Sequence, residues 1–249
     1  MTLGKPSVLI PIAPGTNRNQ ELADAFELAG ARATQIPLSA LRQGEIKVHE
    51  HQILAIPGGF SYGDALGAGR LLGLDLMTWF GDQINEAVDR HMPVIGICNG
   101  FQALVAAGIL PGASGQAALV SNDSHQFECR WVNLKPQSAN SVWLDGLTAP
   151  LRCPVAHGEG KFVVADQHSI EGQVAFSYVD TDGELAGGAY PTNPNGSVGD
   201  VAGVVDASGY VLGLMPHPED HVMARQDPQR GRRVGGSCLP LFSNGVAAA

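Results

Sequence analysis

Up to Leu110, short apolar runs alternate with stretches of helical spacing, and that rhythm restricts the fold to a sheet of parallel strands joined by crossover helices. Ser7 to Ala13 (SVLIPIA) reads as a buried strand. Arg18 to Ala29 reads as a helix with Asn17 as its cap. Ala31 to Pro37 is a second strand and Gln52 to Ile56 a third, ended by Pro57-Gly58-Gly59. Leu71 to Arg90 carries a long helical pattern. Pro93 to Ile97 (PVIGI) is a fourth strand, followed by a helix from Gly100 to Ala107. Such units cover both faces of a sheet and cross over right-handed. Beyond Leu110 short strands dominate: Phe127 to Leu134, Leu151 to Ala156, Gln173 to Tyr178, Val201 to Asp206 and Val211 to Leu214. Gly187-Gly188 and Asn193 to Gly199 mark loops between them. No linker, repeat or low-complexity segment divides the chain. Residues 1–249 therefore read as a single α/β domain, with a central, mostly parallel sheet flanked by helices and a smaller strand-rich second half.

Composition narrows the function classes. A chain that is 44% hydrophobic and 16% charged can bury a large core. Its net charge of −9 is the wrong sign for neutralising a nucleic-acid backbone. Arg225, Arg230, Arg232 and Arg233 make a basic cluster that reads as a solvated segment. No secretory h-region opens the chain, and no apolar run approaches the roughly 20 residues that span a bilayer. The cysteines, at 98, 129, 153 and 238, form no C-x-x-C pair, which suits a reducing cytosol. The expectation is a cytoplasmic protein with neither nucleic-acid nor membrane partners.

Gly96-Ile97-Cys98-Asn99-Gly100 is G-x-C-x-G, with a strand running in and a helix running out. This is the thiol version of a nucleophile elbow. Its glycines admit a sharp turn, and the helix N-terminus favours the attacking thiolate. A lone cysteine is more often a small buried hydrophobe, but the glycine frame reverses that preference. The N–H of Asn99 would face an oxyanion formed on attack. A base is supplied by His217 in GLMPHPE. In extended chain His217 and Glu219 share a face, so the carboxylate can orient the imidazole. Gly58-Gly59, after the third strand, gives a second oxyanion donor in the N–H of Gly59.

Rival constellations are weaker. Gly59-Phe60-Ser61-Tyr62-Gly63 matches G-x-S-x-G, which would make Ser61 the nucleophile of a serine hydrolase. It lies beyond the glycine pair rather than directly off the strand. His125, Cys129, Cys153 and His157 lack the compact spacing of a zinc knuckle, so no metal is expected. Gly67 to Gly73 misses the dinucleotide fingerprint, and no P-loop is present. A non-catalytic scaffold has no reason to keep Cys98, His217 and Glu219 together.

Six stretches carry a resemblance: PGGFSYGDALGAG (57–69), GICNGFQALVAAGILPG (96–112), NDSHQFECRWV (122–132), VAHGEGKF (155–162), NPNGS (193–197) and GLMPHPE (213–219). They resemble the class I, triad-type glutamine amidotransferases, and within them the glutaminase subunits of phosphoribosylformylglycinamidine synthase. The resemblance implies the corresponding fold and a set of roles. Cys98 attacks the side-chain amide of glutamine, His217 moves the proton, and Glu219 orients His217. The amides of Gly59 and Asn99 hold the oxyanion, and Gln102 contacts glutamine. It implies no cofactor in this chain. ATP and magnesium belong to a large partner synthetase that uses the ammonia to convert formylglycinamide ribonucleotide to the amidine in purine biosynthesis. A small accessory subunit is implied as well. His157 to Gly160 and Asn193 to Ser197 are expected at the partner-facing rim. One departure is Asp220, where the family often has arginine.

Overall fold

The computed structural model describes residues 4–44, 46–112, 116–229 and 237–249. Arg230, Arg232 and Arg233 of the basic cluster lie outside the described residues, while Arg225 sits in a short 3-10 turn. A sheet of nine strands runs in the order β2-β1-β3-β4-β11-β10-β9-β6-β7. Its first part comprises β1 (Ser7–Ile12), β2 (Arg32–Pro37), β3 (Ile53–Ile56), β4 (Val94–Ile97) and β11 (Val211–Leu214). These are paired in parallel throughout. The second part, β6 (Glu128–Pro136), β7 (Leu151–His157), β9 (Val174–Val179) and β10 (Val201–Val205), is joined by antiparallel pairs. Only β6 and β10 run against the common direction, so the sheet remains mostly parallel. A separate two-stranded ribbon pairs β5 (Ala117–Val120) with β8 (Lys161–Val164).

Every residue of β3, β4 and β11 is buried, as expected of central strands covered on both faces. The helices are α1 (Asn19–Leu28), α2 (Leu38–Arg42), α3 (Arg70–Asp89), α4 (Asn99–Ala106) and α5 (Leu239–Ala247). Helix α1 buries Leu22, Ala23, Ala25 and Phe26, the i, i+3, i+4 set of one face. Phe26 meets Phe242 of α5 edge-on, with ring centroids 5.2 Å apart. Helix α3 packs on α4, where the carbonyl of Ala103 lies 2.8 Å from the position a Cβ would take at Gly73. The cap of α1 is Arg18, not Asn17, and no side chain caps it.

Two topological facts place the site. The β3 and β4 strands are neighbours, so the Pro57-Gly58-Gly59 turn and the Cys98 turn leave the sheet side by side. Strand β11 flanks β4 on its other side, with Leu214 opposite Ile97. The chain just past Leu214 therefore emerges next to the residue just past Ile97. Carboxyl ends of adjacent parallel strands are where α/β sheets bind ligands.

Candidate active site

Cys98 follows β4 and starts α4 in a conformation that a non-glycine residue seldom adopts, φ 50° and ψ −105°. Its N–H donates to Leu214 O at 2.8 Å, which ties the turn to β11. The frame around it has no room for side chains. A Cβ on Gly100 would stand 2.1 Å from the Ile56 carbonyl oxygen, and one on Gly96 would stand 2.7 Å from the Gly100 carbonyl oxygen. Both glycines are thus required by close packing between β3, β4 and α4. Cys98 is 5% exposed, so its sulfur has a narrow opening.

His217 follows β11 and is held by an N–H bond to Pro154 O of β7 at 2.8 Å. Its Nδ1 shares a hydrogen bond of 2.7 Å with Glu219 Oε1, so Nδ1–H donates to the carboxylate and Nε2 faces away from it. The two side chains are buried. A Cβ built on Gly58 would lie 2.8 Å from His217 Cε1 and 3.5 Å from Cys98 Cβ. The imidazole and the thiol-bearing side chain therefore border the same small space, with Gly58 as its wall. The thiol also interacts with the imidazole electrostatically. Its Sγ nevertheless lies 3.7 Å from Ala156 O, and His217 Nε2 has no partner in hydrogen-bond geometry among the described residues. Apo sites commonly tighten when substrate arrives.

Burial alone would lower the His217 pKa, but Glu219 and Cys98 outweigh it and hold the pKa well above the usual imidazole range. The structure brings a second histidine close by. His157, at the end of β7, is pushed down to about 3, first by burial and then by the charge of His217. Its Nδ1–H donates to Asn122 Oδ1 at 3.1 Å, and Asn195 Nδ2 lies 3.5 Å from Nε2. That pattern fixes a neutral tautomer beside a charged imidazole.

Gly59 sits at φ +143°, and a Cβ there would approach Asn17 N to 2.8 Å, so the position admits only glycine. The N–H groups of Gly59 and Asn99 meet no acceptor among the described residues. The Asn99 side chain has a task that the motif did not announce. Its Oδ1 accepts from Ser61 N at 3.2 Å and its Nδ2 donates to Gln102 Oε1 at 3.0 Å, joining α4 to the loop after β3. Gln102 in turn donates through Nε2 to Glu159 O at 2.6 Å. Ser61 is buried, and its hydroxyl meets no hydrogen-bond partner among the described residues.

Of the expected partner-facing rim, Gly158 is exposed and Glu159 and Gly196 are half-buried, while the polar side chains lie deeper. His157, Asn193, Asn195 and Ser197 are all at least 97% buried. Asn195 donates to Tyr178 Oη at 3.1 Å, Asn122 Oδ1 accepts from Gly160 N at 2.9 Å, and Ser197 Oγ accepts from Phe162 N at 2.9 Å. Buried amides of this kind satisfy irregular backbone that a strand cannot. Asn122 and Asn195 escaped sequence reasoning. Their signal lay in the NDSH and NPNGS stretches, which read equally well as plain turns.

A strained thiol at a strand end, backed by an imidazole and a carboxylate, belongs to the amidotransferase class, and comparison with known proteins agrees. The chain belongs to the CobB/CobQ-like glutamine amidotransferase domain family, whose model matches residues 5–247. It is 43% identical to phosphoribosylformylglycinamidine synthase subunit PurQ of Treponema denticola, over 97% of this chain and 98% of the relative. The subunit of the same name from Dehalococcoides mccartyi is 41% identical, over 98% of each chain. Among solved structures, a chain of PurLQS from Thermotoga maritima superposes with a TM-score of 0.77 at 29% identity, covering 98% of each.

Proposed function

We propose that this chain is the glutaminase subunit of a phosphoribosylformylglycinamidine synthase, hydrolysing L-glutamine to glutamate and ammonia. The observation that carries the reading is the shared space at Gly58, bordered by Cys98 and by the His217–Glu219 pair. Cys98 Sγ attacks the side-chain amide carbon as a thiolate, its proton held on His217 Nε2. The tetrahedral oxyanion points at the free N–H groups of Gly59 and Asn99. His217 then gives the proton to the departing nitrogen, which leaves as ammonia, and a thioester remains on Cys98. Water, deprotonated by His217, releases glutamate and restores the thiol. Glu219 keeps Nδ1 protonated and stabilises the imidazolium. Gln102 contacts the substrate glutamine, and to do so its amide exchanges the Glu159 carbonyl for the ligand.

Ammonia has no consumer in these residues. Its acceptor belongs to the partner synthetase named in the relatives' complex, which supplies ATP and magnesium chemistry, with a small accessory subunit in the same assembly. No helix among the described residues is long and apolar enough to cross a membrane. The test is amidine formation by the reconstituted complex. With Cys98→Ala, glutamine-dependent product should vanish while ammonia-dependent product persists. Retention of the glutamine-dependent rate would refute the assignment.

A further inference from the structure

Arg18 touches both halves of the catalytic constellation, yet no motif contains it. It caps α1, and its N–H donates to Gly58 O at 3.3 Å, one residue before the oxyanion donor Gly59. Its guanidinium reaches Asp220 Oδ2 at 3.6 Å and Glu21 Oε1 at 3.1 Å. Asp220 directly follows Glu219, and its N–H returns to His217 O at 3.3 Å. Glu219 needs such a neighbour. Its Oε1 serves His217, but Oε2 is buried with no hydrogen-bond partner among the described residues. Two successive carboxylates at a nearly dry turn repel one another, and a cation alongside offsets that repulsion.

We propose that Arg18 is a positioning residue for glutamine hydrolysis, holding the Gly58-Gly59 loop and the His217–Glu219–Asp220 turn in register through its backbone and its side chain. The inference rests on the glutaminase reading above and extends it to a residue 199 positions from His217 (217 − 18). Arg18 acts through other groups and touches neither substrate nor the reacting atoms.

The charges around Asp220 give the proposal a pH signature. From α1 it faces Arg18 and Glu21, and from its own turn Glu219 and His217. From β7 it faces the Cys153 thiol, which burial keeps protonated. Helix α5 adds Cys238, which acts on Glu219 and lies beside His221. Burial first and Glu219 second raise the Asp220 carboxyl to about 6, and Arg18 pulls it back down. Above that pH Asp220 is ionised and paired with Arg18. Below it the pair is lost and the turn slackens.

The full chain should be treated with 6-diazo-5-oxo-L-norleucine, a glutamine-shaped diazoketone, and the rate of Cys98 alkylation followed by mass spectrometry from about pH 5 to 8. Wild type should slow as pH falls through the Asp220 titration. Arg18→Gln should react roughly fivefold more slowly at pH 7, with its acid limb moved to higher pH. Arg18→Lys should recover most of the rate. Asp220→Asn should flatten the acid limb, and the double variant should be no slower than Arg18→Gln alone. Equal rates and limbs for Arg18→Gln and wild type would overturn the proposal, as would a slower variant with an unmoved limb. Alkylation of wild type with no response at Arg18 therefore sinks this proposal alone. A wild type that takes no label at any pH overturns the glutaminase reading beneath it.

Discussion

His157 and His217 lie close enough in the folded chain to interact, and their pKa values are driven in opposite directions. Glu219 and the thiol lift His217, whereas burial and the charge of His217 push His157 down to about 3. Pairs of titratable groups pushed apart by their environments mark acid–base sites. The sign of the consequence for stability follows from linkage. A histidine whose pKa falls from 6.5 unfolded to about 3 folded stabilises the native state fully above pH 6.5. That stability is lost as pH falls between those values, at about 1.4 kcal/mol per pH unit. Urea unfolding at pH 5 should thus show about 2 kcal/mol less stability from this group than at pH 7. A His157→Asn variant should show a correspondingly smaller pH dependence, and identical slopes would remove the claim. At this scale the sequence was legible wherever side chains sat in a glycine or proline frame, as Cys98, His217 and Glu219 do. Arg18 has no distinguishing neighbours, and the NDSH and NPNGS stretches around Asn122 and Asn195 did not reveal the buried hydrogen bonds these two amides make.

The turns after β3 and β4, which carry Gly59 and Cys98, depend on backbone approaching backbone. Gly100 lies against the Ile56 carbonyl so closely that any Cβ would overlap it at 2.1 Å. Gly100→Ala should therefore force β3 and α4 apart, at a cost of roughly 2–3 kcal/mol. A thermal melt of the variant should show Tm lowered by roughly 5–10 °C, and an unchanged Tm would contradict the close packing described. Sequence patterns located the strands before Leu110 and most of those after it to within a residue or two. Val211 to Leu214 was placed without error, since a short apolar run lies between the Ser208-Gly209 turn and Pro216. The ribbon strands Ala117–Val120 and Lys161–Val164 were missed. They are short, pair only with each other, and alternate too briefly to stand out. Helix α5 was missed for another reason. Its LPLFSNGVA segment holds Gly245 in a helix interior, where intrinsic propensity opposes it. Packing explains the choice, because a Cβ there would enter the Trp143 ring at 2.3 Å.

Across the whole molecule, strand order does what no local motif can. By placing β11 beside β4, the sheet brings His217 to Cys98 although 118 residues lie between them (217 − 98 − 1). The sequence implied a parallel sheet and carboxyl-end site, but the adjacency of β4 and β11 is set by the global arrangement of crossovers. The same arrangement buries His157, Asn193, Asn195 and Ser197 of the HGEG and NPNGS stretches. The candidate site is almost closed, with Cys98 slightly more accessible than His217 or Glu219. Cys153 and Cys238 are fully buried, while Cys129 is exposed on β6. This contrast makes one labelling experiment decisive. After brief exposure to 6-diazo-5-oxo-L-norleucine, peptide mapping by mass spectrometry should find a single stoichiometric adduct on Cys98, and none in a His217→Ala chain. An unlabelled Cys98, or an adduct on the open Cys129 instead, would contradict glutamine-directed chemistry at this thiol.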